Sequence, residues 1–506
     1  MWKQTNSMGL SRLIVCGLAI IVAVLMACSV QALASAAQLS AEEAAEHGQA
    51  AEEGIIELIN EDGYAQPDFS GSLPLLILEF APGDTQAREE DNFFLDAKVW
   101  EADEEEENAL SKASAVGAAL VQNMTERENL TDQKHDYYLY FAAETELLGM
   151  SGTQEYFVLG GMNDKSLIRN YVGHSMAQSL FENAPEIRMC ELFLRTAAGH
   201  RYQGVYLLVA KPAAPNGILL RRSLSGEDSP LETYADLHDP SIGNLTIPFT
   251  QYVGWDDRYN EVLGRLSRAE EVLYYTTSRT FYQYQELFDV DSFVAGYILG
   301  ELTGNYAEMH DAFYHFEKQA DMISLSPIWN FGQAFDNQAD LPAEGNTANY
   351  TEATYYNQLF KSPQFAGQIQ STYLKLRQDA LDEQALVALV ERAAAKAAPA
   401  AERDWVRWGQ YQHVKLQPLK EIQIDKDTVE KIVPFSRQST TFEEEILRVK
   451  NHLREHSLYF AVEITQFDFQ EREISKEIVL NSNPIWIVIF LVVFFLIVQF
   501  VRRYGV

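Results

Sequence analysis

The stretch that decides the fold is ELTGNYAEMHDAFYHFEKQADMISLSPIWNFGQAFDNQ, which runs from Glu301 to Gln338. A helix ends at the polar turn Gly304-Asn305, and the aromatic-rich segment Phe313-Tyr314-His315-Phe316 that follows is typical of a strand. A second strand then leads into the segment from Pro327 to Asn337. The pattern predicts a tight hairpin that holds polar side chains among aromatic ones.

The polar side chains of this hairpin are candidates for binding and catalysis. They belong to Asn305, Asn330, Asp336 and Asn337. Amide and carboxylate oxygens gathered in this way can hold a hard cation such as Mg²⁺ beside a phosphate. The alternative is a structural turn in which the Asn and Asp side chains bond their own backbone. Taken alone, these residues favour the structural turn.

The rest of the chain divides into a sheet-rich half and a helical half. Segments typical of strands occur at Leu73–Phe80, Phe93–Glu101, Tyr137–Ala142, Tyr156–Gly161, Cys190–Thr196, Gly204–Ala210 and Gly217–Arg222. Segments with helical spacing occur at Arg268–Ser278, Asp289–Gly304, Gln364–Leu381, Glu383–Ala398 and Thr441–Ile464. The last of these begins with a capping box formed by Thr441 and Glu444. We therefore predict an α+β fold with a sheet-rich part at 71–230 and a helical part at 231–467.

The N-terminus predicts export. Basic residues precede an uninterrupted run of apolar and small residues from Leu13 to Ala27, and Ala32-Leu33-Ala34 is a small-residue cleavage pattern. These three parts are typical of a secretory signal peptide, here residues 1–34. Two alternatives stay open: an uncleaved membrane anchor, and a lipobox in which Cys28 becomes a lipidated N-terminus.

The C-terminus predicts a membrane anchor. Residues 485–501 read IWIVIFLVVFFLIVQFV, which at about 1.5 Å per residue is near the short limit for a helix that crosses a bilayer. The pair Arg502-Arg503 is expected on the cytoplasmic side, in a tail of residues 502–506. An acidic helical stalk (35–70) and a linker (468–484) would connect the folded part to the two ends. The predicted location is the cell membrane, with a single-pass anchor and an extracellular ectodomain.

Composition excludes several classes of protein. The 506 residues carry a formal net charge of −34 at pH 7, so a polyanion such as nucleic acid is excluded as the main partner. Apolar residues make up 47% of the chain, which excludes wholesale disorder. The chain has three cysteines, two of them in the predicted signal peptide, so no disulfide framework is expected. Cys190 is predicted to be a free, buried thiol.

The common catalytic signatures are missing from the sequence. There is no Walker loop, GxGxxG, HExxH or CxxC pair. The segment Gly173-His174-Ser175-Met176-Ala177 comes close to the GxSxG elbow of serine hydrolases, which makes Ser175 a candidate nucleophile. An elbow needs a strand that turns sharply into a helix, whereas the apolar spacing around Ser175 stays helical throughout. A serine hydrolase is kept as the third functional hypothesis.

The order of several weak motifs resembles the CotH kinase family, the spore-coat-type atypical kinases. The family pattern has a helix and N-x-D before a strand, then P-[IV]-W-D-F-[DN]-x-A-[FLM]-[GD]-N, and the segment from Asn305 to Asn337 is similar to it. Further segments follow the family order at Glu146–Met150, Tyr156–Leu159, Asp164–Asn170, Tyr202–Leu208, Asp289–Phe293 and Phe442–Phe460. The resemblance covers the chain from about Leu73 to Phe460. It implies an atypical kinase-like ectodomain that uses Mg²⁺ and ATP.

The resemblance implies a catalytic role for Asn305 and Asp336, and a metal site made of Asn330, Asp336 and Asn337. Departures from the family pattern fall on these same positions. N-x-D becomes Asn305-Tyr306-Ala307 and W-D-F-[DN] becomes Trp329-Asn330-Phe331-Gly332, so two or three carboxylates are missing. Because phosphoryl transfer depends on metal ions that neutralise charge, Asp336 would carry that role almost alone.

The segment from Arg127 to Tyr137 resembles the family's R-G-x-S-S…K-x-Y, which implies that Arg127 and Lys134 contact the phosphates of ATP. The leading hypothesis is an exported, membrane-anchored CotH-family protein that is a degenerate kinase. It would act as a scaffold in envelope or spore-coat assembly, with the membrane and exported or cell-surface proteins as partners. The alternatives are an active Mg-ATP-dependent Ser/Thr kinase of exported proteins, and the hydrolase that uses Ser175.

Overall fold

A computed structural model of the chain describes residues 63–66, 69–80, 95–104, 108–124, 134–161, 164–182, 184–211, 217–223, 244–246, 256–274, 280–305, 313–317, 322–326, 330–337, 355–412, 421–423, 429–431 and 441–466. The chain divides into two units, Met1–Gln66 and Pro67–Val506, and every helix and strand named below belongs to the second. The predicted signal peptide, linker, membrane helix and tail all lie outside the described residues, as does nearly all of the predicted stalk.

The first seven strands form a closed barrel. They are β1 (Leu75–Phe80), β2 (Leu95–Ala102), β3 (Ser114–Asn123), β4 (Tyr137–Leu147), β5 (Met150–Leu159), β6 (Ile187–Thr196) and β7 (Gly199–Ala210). Their order around the barrel is β1-β2-β3-β4-β5-β7-β6. All neighbouring strands are antiparallel except β1 and β6, which pair in parallel and close the barrel.

Helices and two small sheets make up the rest of the described fold. The helices are α1 (Ala109–Lys112), α2 (Arg169–Leu180), α3 (Asp256–Tyr274), α4 (Val290–Thr303), α5 (Tyr356–Leu359), α6 (Pro363–Leu376), α7 (Glu383–Gln412) and α8 (Phe442–Glu463). Short 3₁₀ turns lie at Phe281–Glu286 and Ile464–Gln466. The remaining strands are β8 (Gly217–Ser223), β9 (Asn244–Thr246), β10 (Phe313–Glu317), β11 (Met322–Leu325), β12 (Glu421–Gln423) and β13 (Val429–Lys431). One sheet has the order β11-β10-β8-β9, and β12 pairs with β13.

Two apolar cores meet at the wall of the barrel. Strand β7 contributes to both, because successive side chains of a strand point to opposite faces. Tyr206 and Leu208 belong to the core inside the barrel, whereas Leu207 and Val209 pack into the core shared with the helices. Helix α4 is buried along nearly its whole length within that second core.

The fold class predicted from the sequence is wrong for the sheet-rich half of the chain. The sheet-rich half of the predicted α+β fold is a closed seven-stranded barrel. Closure depends on the pairing of Leu75 with Glu191, two residues so distant in sequence that a local apolar pattern carries no information about their contact. The described residues contain no helix that is long and apolar enough to cross a membrane, and the predicted anchor at 485–501 lies outside them.

The individual elements agree with the sequence much better. Each of the seven predicted strand segments overlaps an observed strand, and each of the five predicted helical segments overlaps an observed helix. The predicted N-cap of α8 is confirmed, since the side chain of Thr441 accepts a hydrogen bond from the N–H of Glu444 at 3.2 Å. Cys190 is a buried free thiol, as predicted. Strand β3 was not predicted, because its sequence SAVGAALVQN is rich in small residues.

Helix α7 docks on the barrel through a glycine of β7. Gly204 has a φ of +105°, and the chain bulges beside it, where the register between β6 and β7 shifts. The missing side chain lets the carboxylate of Asp404 approach the strand and accept the N–H of Val205 at 2.7 Å. Trp408, one turn further along α7, donates its indole N–H to the carbonyl of Gln203 at 2.7 Å.

Replacing Gly204 with alanine should destabilise the protein strongly. The new Cβ would lie 2.1 Å from Oδ2 of Asp404 in a backbone conformation that alanine rarely adopts. We expect Gly204→Ala to lower the free energy of unfolding by about 3 kcal/mol, measured by urea denaturation. The matched control is Gly264→Ala in α3, where no atom lies within 4 Å and a gain of about 0.5–1 kcal/mol is expected. Equal effects of the two substitutions would contradict this account of Gly204.

Candidate functional site

The candidate site is built on the loop of residues 330–337, which we call the NFG loop. Helix α4 leads to it, because the αL conformation of Gly304 (φ +61°) ends the helix and turns the chain towards Asn305. Asn305 is fully buried, and its Nδ2 donates to the carbonyl of Asn330 at 2.8 Å. Its Oδ1 has no hydrogen-bond partner within the described residues. The end of α4 and the start of the NFG loop are thus held together.

Helix α2 holds the other side of the NFG loop. Oδ1 of Asn170 accepts the N–H of Phe331 at 2.6 Å, and Nε of Arg169 donates to the carbonyl of Ala334 at 3.1 Å. Gly173 makes room for the ring of Phe331, since a Cβ at that position would lie 2.2 Å from the ring. The glycine that begins the GxSxG-like segment Gly173–Ala177 is therefore explained by its packing against Phe331.

Ser175 lies within α2 and is not at a strand-to-helix turn. A nucleophile elbow requires that turn, because the turn is what exposes the hydroxyl above a sheet. The helical spacing predicted for this segment is confirmed. The geometry that a serine hydrolase needs at Ser175 is not present.

Two asparagine side chains form hydrogen bonds with the backbone of the NFG loop itself. Oδ1 of Asn330 accepts the N–H of Gly332 at 2.9 Å, and Nδ2 of Asn337 donates to the carbonyl of Gly332 at 2.6 Å. These bonds are those of a structural polar turn, which was one of the two interpretations of the sequence. The predicted metal-binding roles of Asn330 and Asn337 stay predictions.

The second half of the NFG loop has an unusual backbone. Phe335 and Asp336 both lie in the left-handed region, with φ of 53° and 62°. Strained conformations of this kind persist only where the surroundings enforce them. Here the N–H of Phe335 donates to the carbonyl of Thr303 at 2.7 Å, and Nη2 of Arg448 donates to the carbonyl of Asp336 at 3.1 Å. Helices α4 and α8 therefore fix the direction of the Asp336 side chain.

Asp336 is paired with an arginine. Nη2 of Arg448 lies 3.3 Å from Oδ2 of Asp336, and Nη1 of Arg448 lies 3.0 Å from Oε1 of Glu445. The Asp336 side chain is 38% exposed and the Arg448 side chain 21% exposed, so this pair reaches solvent. Asp336 is the carboxylate on which the implied kinase chemistry depends.

A second arginine lies behind this pair. Arg169 is completely buried, with Nη1 at 2.6 Å from Oδ1 of Asp164 and Nη2 at 2.9 Å from Oε2 of Glu445. Burial by itself would lower the pKa of Arg169, but the two carboxylates outweigh it and raise the pKa above its ordinary value. Glu445 thus accepts from two guanidinium groups, one on each of its oxygens.

Lys134 lies at the end of the barrel and is also paired. Its ammonium group is 2.7 Å from Oδ2 of Asp404, and both side chains are essentially inaccessible to solvent. Burial raises the pKa of Asp404 above its ordinary value, while Lys134 opposes that rise. The ammonium group also lies 5.0 Å from the centre of the Tyr206 ring. A phosphate contact at Lys134 would compete with these partners, so the predicted role stays a prediction.

The structure brings most of the predicted site residues to one region. Four of them meet at the NFG loop: Asn305, Asn330, Asp336 and Asn337. Lys134 is not part of this group and contacts Asp404 and Tyr206 instead. Arg127 lies outside the described residues. Sequence reasoning missed the charged partners, which are Asp164, Arg169, Asp404, Glu445 and Arg448. A signal existed for four of them, because Asp164–Asn170 and Phe442–Phe460 follow the family order, but none marked Asp404 inside an alanine-rich helix.

Comparison with known proteins places the chain in a family. The sequence model of the family described as CotH kinase protein matches residues 129–459, which is more than half of the chain. The chain belongs to the CotH kinase family. The match begins shortly before Lys134 and ends within α8, so it includes the NFG loop and both arginines. No curated protein matches the chain.

For a member of the CotH kinase family, Mg²⁺ and ATP are the implied ligands, and the residues that the structure describes at the NFG loop do not fit a metal ion. Within the described ranges, no three His, Cys, Asp or Glu side chains are placed together so that they could hold one. Asp336 is paired with Arg448, and Oδ1 of Asn330 already accepts a hydrogen bond from the N–H of Gly332. Magnesium needs several free oxygen ligands in near-octahedral positions. The catalytic roles predicted for Asn305 and Asp336 therefore receive no support from a metal site.

Two stacked histidines hold α8 against the end of α4 in this member of the CotH kinase family. The rings of His452 and His456 have centroids 3.8 Å apart, and Phe335 packs edge-on against His452. Nε2 of His452 lies 3.2 Å from the carbonyl of Leu302, and Nδ1 of His456 lies 3.3 Å from that of Glu301. Because a carbonyl only accepts, each of these nitrogens carries a proton in the folded protein.

Removing Lys134 should destabilise the protein through Asp404. Lys134→Met would leave a buried carboxylate with the N–H of Val205 as its remaining hydrogen-bond donor. We expect a loss of about 3–5 kcal/mol in the free energy of unfolding, partly recovered when Asp404→Asn is added. The control is Lys450→Met, whose partner Glu391 is 58% exposed, with an expected loss below about 1 kcal/mol. A loss at Lys134 as small as the control would contradict a buried ion pair.

The histidine pair should make stability fall in mild acid. Burial lowers the pKa of both rings below 6.5; Arg169 adds to the effect on His452, whereas Asp336 opposes it on His456. A lowered pKa means that the stabilising contribution is complete above 6.5 and is lost as the pH falls below it.

The variant that tests this pH dependence is His452→Gln, whose side chain keeps an N–H for the Leu302 carbonyl but does not titrate. The wild-type free energy of unfolding should fall more steeply than that of the variant below pH 6.5, by up to about 1.4 kcal/mol per pH unit. Urea denaturation across pH 5 to 7.5 gives both slopes. Parallel curves would show that His452 does not titrate with unfolding.

Proposed function

We propose that this member of the CotH kinase family is a degenerate kinase that transfers no phosphoryl group and acts as a scaffold for other proteins. One observation carries the proposal: of the charged side chains implied to contact Mg-ATP, the two within the described residues are already paired inside the protein. Asp336 is paired with Arg448, and Lys134 is paired with Asp404. A metal ion at Asp336 would have to compete with Arg448, and a phosphate at Lys134 would have to share the ammonium group with Asp404.

The sequence supports the same proposal independently. Where the family pattern has two Asp residues and a third position that is Asp or Asn, this chain has Ala307, Asn330 and Gly332. Catalysis of phosphoryl transfer is mostly electrostatic stabilisation by metal ions and positioned charges. A neutral amide in place of a carboxylate weakens metal binding, and glycine contributes no ligand at all. The charge that the transition state requires is therefore missing from these positions.

The scaffold role follows from what remains once catalysis is removed. The chain carries a formal net charge of −34, which suits exported or cell-surface partners with basic segments. Export itself rests on the apolar run from Leu13 to Ala27. Envelope or spore-coat assembly is the process in which we place such a scaffold.

An active Mg-ATP-dependent Ser/Thr kinase is the second candidate. It is favoured by the partial exposure of Asp336, whose side chain is 38% accessible, and by the unpartnered, buried Oδ1 of Asn305. A cofactor that displaced Arg448 would then find one carboxylate and one amide oxygen near the NFG loop. The two candidates make opposite predictions about nucleotide binding.

A thermal-shift titration of the full chain with ATP and Mg²⁺ or Mn²⁺ separates them. A ligand at 100 times its Kd stabilises the native state by about 2.7 kcal/mol, so binding would be visible as a rise in Tm. We expect no saturable shift at millimolar nucleotide, and no transfer of labelled phosphate from ATP to a protein substrate.

A metal-dependent shift that disappears in Asp336→Asn, together with phosphate transfer, would overturn the proposal in favour of the active kinase. Lys450→Met, a change at an exposed ion pair, is the matched control for non-specific effects on Tm. Transfer that persisted in Asp336→Asn would overturn the proposal too, and would remove Asp336 from the site.

A further inference from the structure

Arg448 makes the contacts that a divalent cation would make at the NFG loop. Its guanidinium lies against three oxygens: Oδ2 of Asp336 at 3.3 Å, the carbonyl of Asp336 at 3.1 Å and Oε1 of Glu445 at 3.0 Å. Two of these belong to carboxylates and the third to a peptide group. Carboxylate and carbonyl oxygens are also the ligands that hard divalent cations take in proteins.

A guanidinium can replace a cation in such a place because of its own chemistry. It carries a positive charge at every physiological pH, and its five N–H donors lie in one plane, so it can bridge two carboxylates. Arg448 reaches Asp336 with Nη2 and Glu445 with Nη1. The charge that a bound ion would supply is thus supplied by the chain.

The surroundings separate the role of Arg448 from that of Arg169. Arg169 is completely buried and holds Asp164 and Glu445, so its loss would disturb the core. Arg448 is 21% exposed and its partner Asp336 is 38% exposed. An ion from solvent therefore has access to the place that Arg448 occupies, and Arg448 can be changed while the inner ion pairs remain.

We propose that Arg448 is a built-in cation, which occupies the position at Asp336 and Glu445 that a divalent metal ion would otherwise hold. This inference rests on the proposed degenerate-kinase function and gives it a physical cause within the fold. It also has a consequence that simple loss of carboxylates does not have: removing the guanidinium opens Asp336 and Glu445 to a divalent cation.

The test is a metal titration of the full-length Arg448→Met variant. Mn²⁺ is the probe, because its unpaired electrons report free and bound ion directly by EPR, and Mg²⁺ is titrated in parallel by thermal shift. We expect the variant to bind Mn²⁺ at least about tenfold more tightly than the wild type, and to gain a Mn²⁺-dependent rise in Tm.

Matched variants identify the cause of any binding. Arg454→Met changes an exposed arginine on the same helix, 3.7 Å from Glu383, and should behave as the wild type. Arg448→Lys keeps a positive charge and should gain no Mn²⁺ binding. Arg448→Met combined with Asp336→Asn should lose the binding that the single variant gained. If Arg448→Met folds poorly, Arg448→Gln keeps hydrogen-bond donors and should show the same gain of metal binding.

The proposal is overturned if Arg448→Met and Arg448→Gln bind Mn²⁺ no better than the wild type, or if the gained binding survives Asp336→Asn. These outcomes differ from failure of the proposed function. Saturable Mg-ATP binding or phosphate transfer by the wild-type chain would overturn the degenerate kinase. If the wild-type chain neither binds Mg-ATP nor transfers phosphate, and the Arg448 variants gain no Mn²⁺ binding, only the built-in cation is overturned.

Discussion

The interaction on which the site depends is the burial of Arg169 between two carboxylates. Its guanidinium contacts Asp164 and Glu445 and also donates to the carbonyl of Ala334, so one side chain connects the start of α2, helix α8 and the NFG loop. A charge in the interior is tolerated only when it is paired and hydrogen-bonded, and removing one partner typically costs several kcal/mol. Asp336 and Arg448 are attached to this buried group through Glu445.

The strands and helices were predictable from the sequence, whereas the barrel was not. Segments such as Tyr137–Ala142 and Gly204–Ala210 have apolar residues on successive positions, and that local pattern is enough to indicate a strand. The same pattern does not reveal that both faces of β7 are covered, one inside the barrel and one by helices. Strand β3 lacked the pattern altogether, since small residues such as Ala118 and Gly117 carry little apolar signal.

The candidate site was predictable in part. The residues of the NFG loop were found because Asn and Asp side chains among aromatics are conspicuous, and the structure does bring Asn305 and Asn330 into contact. Their charged partners were not found, because an ion pair such as Lys134 with Asp404 joins residues 270 positions apart. Arg448 resembles any other basic residue on an amphipathic helix, and only its contact with Asp336 distinguishes it.

Helix α7 has a consequence for how the molecule meets a partner. Leu386 and Val390 in its first turns pack into the core shared with the helices. Further along the helix, Arg403 donates three hydrogen bonds of 2.9–3.0 Å to the carboxylate of Glu191 in β6. One helix thus ties the barrel to the helical core, and Pro399, which cannot donate a helical hydrogen bond, lies between the two contact regions. The free energy that a partner binding across both parts would lose to ordering this chain therefore depends on how far α7 bends at Pro399.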